Sequence, residues 1–288
     1  MIFKVRKEET MENLQLAKIA NEVRKNIVTA LHSAGSGHPG GSLSAADMVT
    51  YLYYEEMNVD VNDTKNPDRD RFVLSKGHAA PVLYGVLAEK GYIPKDDLIK
   101  LRKTDSYLQG HPDMKHTAGV EMSAGSLGQG VSTAVGMALA GKLDNRDYRV
   151  YTMLGDGEIE EGQVWEAAMF AGHRKLDNLV VIVDNNNLQI DGTVEEVCSP
   201  YPIDEKFKAF NFHVVTIDGH NFDEIRSALN EAKGTKGMPT AIVMNIVKGK
   251  GVSFMENQVN WHGAAPNDEQ YKAAMEDLEK AGEALCQK

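Results

Sequence analysis

Apolar residues fall into two kinds of segment along this chain. In residues 14–34, Ile19, Val23, Ile27 and Leu31 recur every four positions, the spacing of one helix face turned to a core. Short apolar runs rich in β-branched residues then recur at 71–75, 148–154, 179–183, 212–217 and 240–247. Leu179-Val180-Val181-Ile182-Val183 is continuous rather than alternating, as expected of a strand buried on both faces of a parallel sheet. Between the second and third runs, Val164, Ala167, Ala168, Ala171 and Leu176 recur at helical spacing. They follow Glu158, Glu160 and Glu161, acids that suit a helix N-terminus. Residues 222–232 and 268–287 read as further helices, and Ser44-Ala45-Ala46-Asp47 predicts a capping box opening another, through Tyr54. Strands alternating with helices predict one α/β domain over residues 1–288, built on a doubly wound, mostly parallel sheet with right-handed crossovers.

Two polar motifs sit where strands are expected to end. Gly155-Asp156-Gly157 closes one strand-like run, and Asn185-Asn186 follows the next after the 27 residues 158–184. Ligands of open α/β sheets collect outside the carboxyl ends of the strands, so Asp156 and Asn186 are expected to meet in one crevice. One carboxylate, one amide oxygen and a nearby backbone carbonyl suit a hard divalent cation that keeps room for water and a diphosphate. Asp-Gly and Asn-Asn are common turn formers singly. In this order, on these elements, they point to a site.

The arrangement resembles the metal-and-diphosphate motif of the thiamine diphosphate enzymes. That resemblance implies that Asp156, the Asn186 side chain and the Leu188 carbonyl hold magnesium, or calcium or manganese in its place. Gly157 would contact the diphosphate, with Asn185 a spacer. Four further segments, Ser36-Gly37-His38-Pro39-Gly40, Lys76-Gly77-His78-Ala79, Gln109-Gly110-His111-Pro112 and Trp261-His262-Gly263, resemble, in order, those supplying the active-site histidines of transketolase. Each histidine alone could equally be a solvated or capping loop residue. Residues 119–130, Gly119-Val120-Glu121-Met122-Ser123-Ala124-Gly125-Ser126-Leu127-Gly128-Gln129-Gly130, resemble the family's loop against the cofactor rings, with Gly125, Ser126 and Leu127 as the contacts. His173 reads as the end of a helix rather than as chemistry. Lys248-Gly249-Lys250-Gly251 fits a phosphate cover and a plain solvated turn equally well.

The resemblance runs from about Ala17 to Pro266 and implies the thiamine diphosphate-binding fold. It further implies transfer of a two-carbon ketol unit from a ketose phosphate such as xylulose 5-phosphate to ribose 5-phosphate or erythrose 4-phosphate in the pentose phosphate pathway. His38 and His262 would polarise the substrate carbonyl and move protons, and His111 would recognise the ketol hydroxyl. His78 and His262 would also lie beside the diphosphate or thiazolium. Imidazoles titrating near neutrality are expected in these roles. A complete transketolase carries a pyrimidine-binding domain and a C-terminal domain after this one, including the glutamate that starts the cofactor's proton relay. The expectation is therefore an N-terminal-half subunit completed by a C-terminal-half polypeptide in an α2β2 assembly. Alternatives are a two-subunit enzyme of the 2-oxo acid dehydrogenase type, a transketolase-like enzyme of another sugar, and a non-catalytic cofactor-binding subunit.

Composition narrows the classes without choosing among them. With 31 Lys and Arg against 42 Asp and Glu, the net charge of −11 opposes duplex nucleic acid as a partner. Cys198 and Cys286 are too few and too far apart for a disulfide framework or a zinc site. Met1-Ile2-Phe3-Lys4-Val5-Arg6 lacks the apolar stretch of a secretory signal, and no run has the roughly 20 apolar residues of a membrane helix, so a cytoplasmic location is expected. The loops 104–126 and 248–262 are expected to be mobile and to face substrate.

Overall fold

The computed structural model describes residues 10–287. The expectation drawn from Met1 to Arg6 lies outside the described residues. Five strands, β1 (Arg71–Leu74), β2 (Val150–Gly155), β3 (Leu179–Asn185), β4 (His213–Asp218) and β5 (Thr240–Asn245), form one sheet in the order β1-β2-β3-β5-β4. Every pairing is parallel. Helices α1 (Asn13–Ala34), α2 (Pro39–Ser44), α3 (Ala46–Tyr51) and α4 (Ala80–Lys90) precede α5 (Gln129–Leu143), α6 (Gly162–His173), α7 (Val194–Val197) and α8 (Ile203–Ala209). Then come α9 (Phe222–Gly234) and α10 (Asp268–Cys286).

Alternate strand residues enter two different cores, which is why the strand runs are apolar throughout. Phe72, Leu74, Tyr151, Met153, Val180, Ile182, Ile242 and Met244 pack with α1, α3, α4, α9 and α10. Val73, Val150, Leu154, Val181, Val183, Ala241 and Val243 pack with α5, α6 and α8 on the opposite face. On α1 the fully buried edge is Leu16, Ala20, Val23, Ile27 and Leu31, with Ile19 only partly buried against it.

Two local expectations are corrected. Ser44 ends α2 and does not cap the next helix; its hydroxyl donates to Asp184 Oδ2 at 2.7 Å, while Asp47 is buried against Arg24. Tertiary partners outcompete the local cap, and α3 ends at Tyr51, followed by a wider turn over Leu52–Glu56. Glu158 does not serve the α6 N-terminus either. Its carboxylate is buried and accepts from the Gly128 amide at 3.0 Å, the Gly155 amide at 3.1 Å and the Ser75 hydroxyl.

The register brings the strand ends together. Gly155 pairs with Asp184, and Asn185 and Asp218 both pair with Asn245, so the segments leaving β2, β3, β4 and β5 emerge along one edge.

At the opposite end of the sheet, where strands begin, close packing leaves no room at Gly172 in the last turn of α6: an added Cβ would lie 1.9 Å from the Phe210 carbonyl oxygen. Gly172→Ala should therefore destabilise the fold by about 1–3 kcal/mol, since backbone must shift to relieve the overlap. Urea midpoints for wild type and variant check this, and equal midpoints would mean that the Phe210 turn yields at no cost.

Candidate functional site

At the carboxyl edge of the sheet a cleft of about 290 Å³ opens, and its walls come from separate stretches of chain. His38 leads into α2, Lys76 and His78 follow β1, and His111 and Gly125 come from the long loop before α5. Asp156 and Gly157 follow β2, Asn186 and Leu188 follow β3, and Lys248 and His262 come from the segment after β5. Both loops singled out in the sequence thus reach the cleft.

The floor is polar and tightly bonded. Asp156 Oδ1 accepts from the Gly157 amide at 2.9 Å, and Oδ2 accepts from the Asn187 amide. Asn186 is oriented from both ends of its amide: Nδ2 donates to Asp184 Oδ1 at 2.7 Å, and Oδ1 accepts from the Leu188 amide at 3.1 Å. The Leu188 carbonyl accepts from the Lys248 ammonium at 2.6 Å. Asn185 points elsewhere, accepting from the Tyr201 hydroxyl at 2.7 Å and donating to Asn245 at 3.0 Å.

Burial and the nearby Asp184 charge push the Asp156 carboxyl up to about 7, against the pull of the Asn187 and Gly157 amides and Lys248. A buried carboxylate held this high gains most from a cation in contact with it. Carboxylate, amide and carbonyl oxygens are all hard donors, so the set fits a magnesium-class ion. Among the described residues no cluster of three His, Cys, Asp or Glu side chains is placed to hold a metal ion.

Three histidines pack against one another above the floor. Ring centroids lie 5.0 Å apart for His38 and His78, 5.5 Å for His38 and His262, and 5.4 Å for the stacked His78 and His262. His262 Nδ1 is 2.9 Å from the Lys248 ammonium and so accepts from it. Burial, then neighbouring positive charge, lowers His262 to about 3, His38 to about 4, and His78 well below its ordinary value. His111, exposed at the rim, is lowered by burial of its ring and by Arg102. His38, His78 and His262 are therefore neutral at pH 7 rather than titrating there, a correction to the expectation from unperturbed histidine. His38 Nδ1 is buried without a hydrogen-bond partner among the described residues, a polar atom left for something that enters the cleft.

Of the other expected contacts, Gly125, Leu127 and Gly157 line the cleft, whereas Ser126 is exposed between its neighbours and does not. His173 ends α6 on the surface, away from the cleft. Sequence reasoning missed Lys76, Asp184, Glu158 and Gln189. Lys76 and Asp184 form a fully buried ion pair under the floor. A signal for Asp184 existed, since it is the one charged residue in the strand run leading to Asn185-Asn186.

A second buried group backs the Lys248 segment. Asp47 accepts from Arg24 at 2.6 and 3.0 Å, and His220 Nδ1 lies 2.7 Å from it. Burial alone would raise Asp47, but the Arg24 guanidinium and the His220 hydrogen bond outweigh it and hold the carboxyl at about 2.

Fold and cleft together define a parallel α/β domain with a polar, histidine-lined cleft at its strand ends. The model of the transketolase thiamine diphosphate binding domain matches residues 16–282. The chain is 46% identical over 271 residues to the 6-deoxy-6-sulfo-D-fructose transketolase subunit SqwG of Clostridium sp. (strain MSTE9), covering 94% of this chain and 98% of that protein. It is 40% identical over 275 residues to an apulose-4-phosphate transketolase subunit of Phocaeicola vulgatus, covering 96% of this chain and 97% of that protein. The transketolase structure from Campylobacter jejuni superposes with a TM-score of 0.88 at 34% identity, covering 96% of this chain and 46% of that one. The chain belongs to the transketolase family, a family of transferases, and spans about half the length of that solved relative.

The Asp47 group has a measurable pH signature. A folded-state value below the ordinary 3.8 adds stability that is present above about 4 and lost as pH falls through about 2. Urea unfolding across that window should lose roughly 2 kcal/mol through this group, a loss absent from Asp47→Asn. A stability gap between the two proteins that stays constant over the window would mean Asp47 is not linked to acid unfolding.

Proposed function

We infer that the chain is the diphosphate-binding subunit of a two-chain transketolase, a single domain whose missing pyrimidine-binding and C-terminal parts reside on a complementary polypeptide. The observation that carries this is the convergence of Asp156, Asn186, Leu188, His38, His78, His111 and His262 on one cleft. Its near-complete coverage of two relatives that are themselves called subunits supports the division between chains. An α2β2 assembly is the natural closed form.

Asp156, Asn186 Oδ1 and the Leu188 carbonyl would hold magnesium, with Gly157 at the diphosphate and Gly125 and Leu127 toward the rings. Thiamine diphosphate supplies, when bound, a stabilised carbanion at the reacting carbon. The protein's own part is recognition and proton placement. Neutral His38 and His262 can donate a hydrogen bond to the substrate carbonyl oxygen and take up charge as it develops there. His78 and Lys248 face the anionic side of the cleft. His111, at the rim, would recognise the ketol hydroxyl.

The donor is a ketose with an anionic tail. Xylulose 5-phosphate with ribose 5-phosphate or erythrose 4-phosphate as acceptor is the pentose phosphate reading. The names of the two relatives favour testing a 6-sulfo ketose and apulose 4-phosphate beside it. Ketol transfer assayed for the chain with magnesium and thiamine diphosphate, alone and with its complementary chain, decides the reading. Transfer only in the mixture is expected, and no transfer from any of the three donors would overturn it.

Two substitutions separate the roles. Asp156→Ala should abolish magnesium-dependent thiamine diphosphate binding by the assembled enzyme, followed by titration calorimetry; undiminished binding would remove Asp156 from the metal site. His111→Ala should keep cofactor affinity while kcat/KM falls by about 100-fold or more, the range for a lost group at the reacting centre. Unchanged steady-state kinetics would relocate the ketol hydroxyl.

A further inference from the structure

The loop leaving β4 lies directly on the end of β5. An added Cβ on Gly219 would come within 2.2 Å of Ile246 Cγ2 and 2.9 Å of Met244 Cβ, so only glycine permits this approach. The next residue, His220, is thereby set between two partners. Its Nδ1 is 2.7 Å from Asp47 Oδ2, and the Val247 amide donates to its Nε2 at 2.9 Å. An ionised carboxylate only accepts, so Nδ1 carries the hydrogen and Nε2 keeps its lone pair. Two neighbours therefore fix one tautomer, as a carboxylate does for the histidine ligands of metal sites.

Val247 directly precedes Lys248. β5 ends at Asn245, the Ile246 amide retains only a long 3.4 Å bond to Asn185, and at Val247 the imidazole takes over from the strand ladder. One residue later the Lys248 ammonium reaches Leu188 O at 2.6 Å and His262 Nδ1 at 2.9 Å. Arg24, Asp47, His220 and Val247 thus form an unbroken series from α1 to a cleft residue, and none of the four lines the cleft.

We propose that His220 is a positioning residue for Lys248: by accepting the Val247 amide hydrogen it fixes the backbone from which Lys248 reaches the Leu188 carbonyl and His262. The consequence for cofactor binding rests on the cleft being the diphosphate site. The positioning itself does not.

Asparagine and glutamine substitutions divide the two halves of the imidazole. In His220→Asn the amide nitrogen takes the place of Nδ1 and keeps the bond to Asp47, but nothing reaches Val247. In His220→Gln the amide oxygen reaches the place of Nε2 and can accept from Val247, while Asp47 retains Arg24. A purely structural role through Asp47 ranks Asn above Gln, and positioning of Val247 ranks Gln above Asn.

Two readouts are needed. The first is hydrogen exchange of the Val247 amide in the full chain; the second is magnesium thiamine diphosphate affinity of the full chain with its complementary chain. We expect near wild-type behaviour for His220→Gln, and for His220→Asn about tenfold faster exchange and about tenfold weaker binding, the scale of one lost hydrogen bond. Asn equal to or better than Gln in exchange, or both indistinguishable from wild type, would overturn the proposal. A wild-type mixture that binds no thiamine diphosphate would instead count against the functional reading, and the exchange ranking would still decide the role of His220.

Discussion

The site is organised around the Asp184 carboxylate at the end of the central strand β3. It is fully buried, and an isolated charge there would cost several kcal/mol. It is tolerated because its oxygens are occupied: Lys76 and the Ser44 hydroxyl reach Oδ2, and the Asn186 amide reaches Oδ1. These contacts tie α2, the exit of β1 and the exit of β3 to one point. Lys76 also donates to the Gly41 carbonyl at 2.7 Å, which fixes the short helix that follows His38. Asn186 can present its oxygen to the cleft floor because Asp184 has taken its nitrogen. Loss of either member of the pair would strand the other charge in a medium that cannot solvate it.

That charge pair also shapes the histidines. Lys76 and Lys248 are the positive groups beside His78 and His262, and both act with burial to keep those rings neutral. Neutral imidazole is a donor and an acceptor at once, whereas imidazolium only donates. Three mutually packed rings could not hold three charges, and the ammonium groups disfavour even one. The positive charge in the cleft is thus carried by lysines anchored to carboxylates and carbonyls, leaving the rings free for hydrogen bonding.

Much of this was legible in the chain. The strand runs, the α1 and α6 stripes and the two motifs at strand ends followed from period and turn chemistry, and the all-parallel sheet agrees with them. The resemblance of four short histidine segments, from positions 38 to 262, assigned residues far apart in sequence to one cleft, and the structure brings those four together. Ser126 shows the limit of such carry-over. Its neighbours line the cleft and it does not.

What sequence could not reveal were polar residues whose partners lie on other elements. Ser44 and Asp47 have the spacing of a helix cap, yet their oxygens are committed to Asp184, Arg24 and His220, which no local pattern announces. Glu158 has the look of a helix-start acid, yet it gathers amides from the exit of β2 and the Gly128 turn. In each case a buried acceptor satisfied by several donors outweighs an exposed cap worth about 1 kcal/mol. Local rules therefore fail where the fold concentrates its buried polar groups, and in an open parallel sheet that place is the carboxyl edge, where the cleft lies.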